Sequence, residues 1–449
     1  MRRLTIKSST PASVLLAIIC AGSSASFAEE VSWTDNLTLS GTLETEWAGT
    51  TDDSSSQKFE TILQPELNAS LTDHSSLTGI FRIRGDAKDK LEQGNLAQGN
   101  RSIASSSWHL ADDVDAEIRE LYIDSYFGDA SLRVGKQQLA WGQADGLKVL
   151  DVVNPQSYRE FILDDFDNSR IPLWSLNAEF PVRGESLVQL IWIPDTTYDD
   201  IPETGNAFAY SSPRIVPQAV SGFSTVTHDA NKPDNLVSDS DFGVRVSTFA
   251  GGWDITLNYL YHYNDNPILY RQISGTQVTI TPEYERTHLV GGTLSNAFGD
   301  YIFRSEVGYS TNSYHVNNDA ADADGIEETG EASYVLGLDY SGITDMFLSA
   351  QFFQSVLTEG HPGVSRDQVE NTITLLAEHN FANETWKAEI LLIQSLNDGD
   401  GVVRPKISHE FSSNMNIRLG ADAFYGDPDG LYGQFDEQDR ITVGFEWGF

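Results

Sequence analysis

The chain has 449 residues, a formal net charge of −38 and a single cysteine, Cys20. Nucleic acids select basic surfaces, so this acidity excludes a nucleic-acid partner. One cysteine cannot form a disulfide within the chain or a thiolate metal site, and we expect neither a metal nor another cofactor. Mean hydropathy is −0.30, and beyond the N-terminal region no segment approaches the roughly 18 unbroken apolar residues of a membrane helix.

The N-terminal segment, residues 1–28, has the layout of a secretory signal peptide. Basic residues precede an apolar run from Val14 to Cys20, and small residues lead up to Ala28. We therefore expect cleavage after Ala28, which removes the cysteine and leaves one domain over residues 29–449. Only a short stretch separates this site from the first predicted strand, so we expect no N-terminal plug domain.

Runs of alternating apolar and polar residues predict transmembrane β-strands. The segment LTLSGTLETEW puts Leu37, Leu39, Leu43 and Trp47 on one face and mainly Thr, Ser and Glu on the other. A strand that crosses a bilayer needs roughly 9 to 11 residues, and only a closed barrel leaves no backbone group unpaired in lipid. Strands are expected to begin near residues 37, 58, 76, 115, 131, 172, 186, 241, 253, 284, 301, 332, 345, 368, 385, 402, 414 and 438.

Short turns divide these runs into hairpins. Segments such as FGDAS at residues 127–131 and FAGGW at residues 249–253 have hairpin turn chemistry, and longer polar connections separate one hairpin from the next. This pattern predicts an all-β fold, a transmembrane antiparallel β-barrel of 18 strands with short periplasmic turns and long extracellular loops. Sixteen strands is the alternative, because the run SAQFFQSVL at residues 349–357 has no clean polar face.

The C-terminal run RITVGFEWGF, residues 440–449, resembles the last strand of Gram-negative outer-membrane barrels. Its aromatic residues Phe445, Trp447 and Phe449 share one face. The resemblance implies an assembly signal that the barrel assembly machinery reads. It also implies a location in the outer membrane, in contact with lipid and lipopolysaccharide. Both a monomer and a homotrimer are compatible with the sequence.

Charged residues fall on the strand faces opposite to the apolar ones, which places them toward the lumen. Two roles are open to them: cross-strand ion pairs that brace the wall, or an electric field that sorts solutes by charge. The predicted lumen residues are Glu44, Glu46, Glu60, Glu66, Arg82, Arg84, Glu120, Asp124, Arg133, Arg304, Arg404, Arg418 and Arg440.

The segment at residues 141–171 neither alternates like a strand nor has the composition of a linker. Its apolar content indicates a packed object, because a loop wholly in solvent would not need so much apolar surface. Asn154 and Pro155 are expected to begin a short helix that runs to about Leu163. By the strand count this is the third external loop, and it resembles the third loop of the general porins, which folds into the barrel and narrows it.

That resemblance implies a mixed-charge constriction, with loop residues facing lumen bases such as Arg82, Arg84 and Arg133. Aromatic residues of the loop, among them Trp141 and Phe161, admit a second role as a surface for sugar rings or apolar solutes, although packing against the wall is the simpler role. Lys148, Arg159 and Arg170 either join the constriction or tie the loop internally. The expected acidic members are Asp145, Asp151, Glu160, Asp164, Asp165 and Asp167.

The segments WGQADG and NPQSYREFILDDFDNSRIPLW are also similar to those of a broad family of proteobacterial porin-like barrels, itself distantly similar to alginate-export barrels. The resemblance covers residues 131–195 and implies fold and location more than substrate. The chain departs from the alginate-export type in one respect. An anionic polymer favours a lumen rich in Arg and Lys, whereas this sequence is strongly acidic.

Together these features predict an outer-membrane porin that passes small hydrophilic solutes and ions by passive diffusion through the loop constriction. The alternatives are a substrate-specific transporter or exporter for a saccharide or an apolar compound, and a structural barrel that sheathes a periplasmic partner. An enzyme is not expected. No GxSxG or HExxH motif occurs, and the adjacent Ser408 and His409 must point to opposite faces of one strand.

Overall fold

The structure is a computed structural model that describes residues 36–52, 54–94, 98–144, 146–182, 184–219, 221–319, 321–360 and 362–449. The predicted signal peptide and the predicted constriction residue Asp145 lie outside these residues. Among the described residues, no helix has the length and apolar character needed to cross a membrane.

Eighteen long strands form one closed antiparallel barrel. Each strand pairs with its neighbours in the chain, and the first strand closes the barrel by pairing with the last, from Thr42 opposite Gly448 to Thr50 opposite Arg440. The strands are β1 Leu37–Thr50, β2 Ser56–Thr72, β3 Ser75–Asp86, β4 Val114–Phe127, β5 Ala130–Gln137, β6 Leu173–Pro181, β7 Ser186–Ile193, β8 Asp241–Ala250, β9 Trp253–Tyr263, β10 Arg286–Phe298, β11 Tyr301–Val316, β12 Ile326–Tyr340, β13 Met346–Leu357, β14 Val369–Phe381, β15 Trp386–Ser395, β16 Gly401–Ser412, β17 Met415–Tyr425 and β18 Arg440–Gly448.

The prediction of 18 strands is confirmed, and the 16-strand alternative is wrong, because residues 349–357 belong to β13 and pair on both sides. The predicted strand starts agree closely with the observed ones except for β12. That strand begins at Ile326 rather than near residue 332, because the β11–β12 ladder continues past a register shift at Ser310/Ser313. The acidic extension has no apolar alternation, so the sequence pattern did not reveal it.

The two faces of each strand differ in the way a lipid-embedded barrel requires. In β9, Leu257 exposes 66% of its surface to the outside, whereas its neighbours Thr256 and Asn258 expose 1% and 4%. The polar neighbours contact other inward side chains: the Thr256 and Thr293 hydroxyls lie 2.9 Å apart across the β9–β10 pair. Polar side chains therefore fill the inner wall and apolar side chains cover the outer one.

A β-bulge in β4 changes which side chains point inward. Ile80 pairs with Glu120, but the next residue, Phe81, pairs with Ile118, so Arg119 has no partner across the β3–β4 ladder. An extra residue in one strand reverses the alternation beyond it. Charged residues on both sides of the bulge therefore reach the lumen, including Glu117 before it and Glu120 after it.

The remaining elements lie in the long connections. A short strand, Trp108–Ala111, pairs with β4, and a separate three-stranded sheet contains Ser224–Thr227, Ile268–Ser274 and Gln277–Glu283. Two short helices are described, the α-helix Phe166–Ser169 and the 3-10 helix Gly433–Gln438. The first of these lies in the connection between β5 and β6, called the third loop below.

Candidate functional site

The third loop, residues 138–172, crosses the inside of the barrel and contacts two different parts of its wall. Near its start, the backbone N–H groups of Gln143 and Leu150 donate to the Glu306 carboxylate of β11, at 2.7 and 2.5 Å. Farther along, the Arg159 guanidinium pairs with Glu60 of β2 at 2.6 Å. These contacts confirm the prediction that the third loop folds into the lumen.

The first half of the loop packs against an apolar part of the wall. Trp141 and Leu150 are fully buried in a cluster with Ile191, Leu260 and Leu289. Glycines of the wall make room for them: a Cβ at Gly243 would lie 2.6 Å from the Trp141 ring, and one at Gly291 would lie 2.5 Å from a Leu150 methyl group. The indole N–H of Trp141 donates to Gln189 at 2.9 Å, so its polar atom is also satisfied.

The second half of the loop is held by buried ion pairs. The Glu160 carboxylate accepts from Lys58 and from Arg440, both at 2.7 Å. Arg159 contacts Glu92 at 2.8 Å in addition to Glu60. Glu92 belongs to the connection between β3 and β4, called the second loop below. Burial alone would raise the pKa of Glu160, but Lys58 and Arg440 hold it well below its usual range.

An aromatic cluster joins this half of the loop to two other external loops. Phe161 lies at its centre in a left-handed backbone conformation, with φ of 54°. Its ring lies 4.8 Å from that of Phe435 and 5.9 Å from that of Tyr432, and the same cluster contains Phe208 and Phe424. The second half of the third loop is therefore anchored by charge on one side and by aromatic packing on the other.

The predicted helix from Asn154 to about Leu163 is wrong. The Asn154 amide instead accepts from the backbone N–H of Leu139 at 2.7 Å and donates to the carbonyl of Ile171 at 2.8 Å. It ties the two ends of the loop together, a contact that local sequence cannot show. The helix begins later, at Phe166.

The predicted constriction residues fall into two groups. Asp151 is buried against Arg170 at 2.8 Å, and Arg170 also contacts the exposed Asp167 at 2.6 Å; Lys148 donates to Gln156 at 2.5 Å within the loop. Asp164 and Asp165 differ from these, because neither forms an ion pair with any described residue, and both line an open cavity. Most loop charges are thus braces, and two remain available.

The predicted lumen residues lie on the wall mainly in ion pairs and hydrogen bonds. Arg133 and Asp124 form a two-bonded pair between adjacent strands, at 2.7 and 3.0 Å. Arg304 pairs with Asp339 at 2.8 Å and also donates to the Gln143 carbonyl of the third loop. Other members pair as follows: Glu44 and Glu46 with Arg418, Glu60 with Arg159, Glu66 with Asn68, Arg84 with Glu92, Glu120 with Gln138, Arg404 with Asp422, and Arg440 with Glu160.

A cavity of about 230 Å³ remains between the third loop and strands β1–β4 and β15–β18. Its charged lining is balanced, with ten acidic and ten basic side chains, although the chain carries a net charge of −38. Arg82 and Arg84 line it as predicted partners of the loop acids, whereas Arg133 does not. The acidic surplus of the chain therefore lies elsewhere, and the lumen at this level is not uniformly acidic.

Several cavity residues escaped the sequence prediction. Glu117 and Arg119 lie at the β-bulge, where an assumed strict alternation assigns the wrong face. Arg101 comes from the second loop and reaches the cavity by pairing with Glu117 at 3.2 Å. Lys58 lies where β2 was expected to begin and was not assigned to the lumen. Only the bulge leaves a trace in sequence, since DAEIRELYID carries charge at both odd and even positions.

The fold is similar to that of solved outer-membrane barrels from Pseudomonas aeruginosa. The outer membrane protein OpdK has 9% identity and a TM-score of 0.51, with 92% of this chain and 99% of that chain covered. OccK9 (OpdG) has 9% identity and a TM-score of 0.51, with 93% of this chain and 98% of that chain covered. OccK5 (OpdH) has 10% identity and a TM-score of 0.50, with 93% of this chain and 99% of that chain covered. No curated protein matches the sequence. Residues 81–383 match the family described as protein of unknown function (DUF1302), and the chain therefore belongs to that family.

Proposed function

We propose that the protein is an outer-membrane channel through which small hydrophilic solutes diffuse passively, with the loop 141–171 as its constriction. The observation that carries this proposal is the third loop itself. It crosses the lumen, and the other charges of its described residues are paired, whereas Asp164 and Asp165 have no ion-pair partner in the described part of the chain and line an internal cavity. The wall facing them is polar, as a water-filled pore requires.

The size of the cavity suits a small solute. A cavity of about 150 Å³ in another protein holds a benzene molecule, and the one in this lumen has about 230 Å³. A barrel of the same fold, OpdK, has been solved with vanillate. An architecture of this kind therefore admits a small organic molecule, and Asp164 and Asp165 supply negative charge on the loop side of the cavity.

The alternative of a sugar or apolar binding surface has less support. Trp141 and Phe161, the central aromatic residues of the loop, are buried in the apolar and aromatic clusters and are not presented to the cavity. The surroundings of the adjacent Ser408 and His409 on the barrel wall also favour a protein that is not an enzyme. The His409 ring stacks on Trp386 at 4.3 Å, while the adjacent Ser408 lies opposite Lys387 and Arg418.

An outer-membrane location is supported by the distribution of aromatic side chains. Exposed phenylalanines lie at the short turns, where a membrane interface would meet the barrel. Lipid and lipopolysaccharide are the proposed surroundings, and the barrel assembly machinery is the proposed folding partner. The exposed rings are Phe127, Phe249, Phe298 and Phe411.

The first test is conductance of the refolded protein in a planar bilayer, with the reversal potential measured in a potassium chloride gradient. We expect an open, cation-preferring pore, and a higher conductance after deletion of residues 146–166. The triple variant Asp164→Asn, Asp165→Asn and Asp167→Asn should lower the potassium-to-chloride permeability ratio by roughly fivefold, which corresponds to about 1 kcal/mol of Coulomb energy in water.

The matched control removes three exposed carboxylates from short turns, Asp129→Asn, Asp300→Asn and Glu384→Gln. It makes the same change in net charge and should leave the ratio unchanged. The channel proposal would be refuted if neither the unmodified protein nor the loop-deletion variant conducted ions. A control that changes selectivity as much as the triple variant would show that total charge, not the loop, sets the preference.

A further inference from the structure

Four basic side chains, one each from β3, β4 and β5 and one from the second loop, act electrostatically on the Glu117 carboxylate. This basic cluster consists of Arg82, Arg101, Arg119 and Lys136, all of them buried. Arg101 reaches Glu117 at 3.2 Å and Arg82 reaches it at 3.7 Å. Arg101 also pairs with Asp200. In the described part of the chain, the four cations therefore have only two carboxylates, Glu117 and Asp200, within ion-pair distance of any of them. A surplus of buried positive charge is unexpected in so acidic a chain.

Two members of the basic cluster have no carboxylate partner. Among the described residues, no Asp or Glu carboxylate oxygen lies within 4 Å of the Arg119 guanidinium nitrogens or of the Lys136 ammonium nitrogen. Arg119, which exposes only 5% of its surface, donates from Nη2 to the carbonyls of Asp167 and Asn168, at 2.6 and 3.1 Å. Lys136 exposes 1% and pairs through its backbone with Leu121, beside the bulge. Of these two, Arg119 lines the cavity, and because a buried cation without a close counter-charge is costly, an anionic group arriving there would be stabilised.

The opposite charge is also available in the same cavity. Asp164 and Asp165 of the third loop line it together with Arg82 and Arg119, and neither aspartate has an ion-pair partner among the described residues. A solute with only negative charge would be repelled by the aspartates, and one with only positive charge by the basic cluster. A solute that carries both charges would satisfy both surfaces.

We propose that the cavity binds a small zwitterion of the amino-acid type, with its carboxylate against Arg119 and Arg82 and its ammonium group against Asp164 and Asp165. Arginine suits the first contact because its planar guanidinium can donate two parallel hydrogen bonds to a carboxylate. This inference rests on the proposed function and adds a substrate class to it. A channel could exist without the preference.

The test records interruptions of single-channel current by three matched probes: 4-aminobutyrate, butyrate and butylammonium. We expect 4-aminobutyrate to interrupt the current for about ten times longer than either singly charged probe, a factor that corresponds to about 1.4 kcal/mol. Arg119→Gln and Asp164→Asn should each reduce its dwell time to that of the singly charged probes. The control, Arg245→Gln, removes a wall arginine that does not line the cavity and should change nothing.

A second variant guards against loss of structure, because Arg119 also holds carbonyls of the third loop. Glu117→Gln keeps every cation and removes the carboxylate that competes with the solute, so it should lengthen the 4-aminobutyrate interruptions. Equal dwell times for the three probes, or shorter 4-aminobutyrate dwell times in Glu117→Gln, would overturn the inference. Normal salt conductance in the same experiment would leave the proposed channel function standing. If the protein carries no salt current, binding can be tested separately by titration calorimetry of the detergent-solubilised protein with 4-aminobutyrate. Absence of binding heat would then overturn the proposed zwitterion site.

Discussion

Two acidic residues that are four positions apart in sequence have opposite roles in the third loop. Glu160 is buried between Lys58 and Arg440 and anchors the loop, whereas Asp164 has no ion-pair partner among the described residues. Burial, followed by repulsion from Glu160, raises the pKa of Asp164 to about 6. Its neighbours on the wall and the loop include Lys58, Glu60 and Arg159, whose charges partly cancel.

We expect this pKa to make the ion selectivity of the proposed channel depend on pH. Asp164 is ionised above its pKa and neutral below it, so the cation preference should fall as pH is lowered from about 7.5 to about 5, with a midpoint near the pKa of about 6. Reversal potentials across this range provide the measurement. In Asp164→Asn the step should vanish, and in Asp165→Asn it should remain. A flat profile in the unmodified protein contradicts the assignment.

At the scale of elements, the third loop and the inner wall fit each other through glycines. Gly243 of β8, Gly291 of β10 and Gly308 of β11 leave the space that Trp141 and Leu150 fill. The contact needs small residues on three strands and large ones on the loop, which are far apart in sequence. The loop is therefore part of the packed interior and not an appendage.

A methyl group at Gly243 should disturb this fit. Its Cβ would lie 2.6 Å from the Trp141 ring and 2.7 Å from Ile191, so both side chains must move. We expect Gly243→Ala to destabilise the loop packing by about 1–3 kcal/mol, the usual cost of overpacking. The readouts are the thermal unfolding midpoint and the noise of the open-channel current.

Gly337→Ala is the matched control, since it places the same methyl group on β12 where the nearest atom, Cγ of Gln351, lies at 3.4 Å. It should behave like the unmodified protein. Equal destabilisation by the two changes would mean that loss of glycine in any strand, and not the contact with the third loop, sets the cost.

At the scale of the whole molecule, closure of the barrel involves the C-terminal aromatic residue. The backbone groups of Phe449 exchange two hydrogen bonds with those of Gly41, each 2.9 Å long. Its ring lies close to the same glycine, where a Cβ would be 2.8 Å from the ring. The predicted assembly signal of Phe445, Trp447 and Phe449 thus coincides with the seam of the barrel.

Removal of the Phe449 ring should reduce the amount of folded barrel in membrane extracts. We expect Phe449→Ala to lower the heat-modifiable, folded fraction on a semi-native gel of membrane extracts, because both the seam packing and the proposed recognition are lost. Phe411→Ala, which removes an exposed ring at a short turn, serves as the control. A folded fraction that falls equally in both variants would argue against a special role for the last residue.

The strands and hairpin turns were predictable because their signals are local. Alternation such as that of Leu257 between Thr256 and Asn258 reports which face meets lipid, and turn residues mark where the chain reverses. The apolar content of the third loop indicated a packed segment, and its entry into the barrel was implied by the resemblance to the third loop of the general porins. The pairing of its charges was not predictable, since Glu160 contacts Lys58, 102 residues earlier in the chain, and Arg440, 280 residues later.

The sequence by itself determined a closed barrel of alternating strands and the position of its turns, because two-residue periodicity and turn chemistry act between neighbours. Only the tertiary structure decided which charges are available. Among the described constriction residues, pairing removed most from consideration and left Asp164 and Asp165, and a bulge brought Arg119 to the same cavity. Whether a charged side chain has a partner depends on its distance from side chains on other strands and loops. These distances are set only when the barrel closes around its third loop.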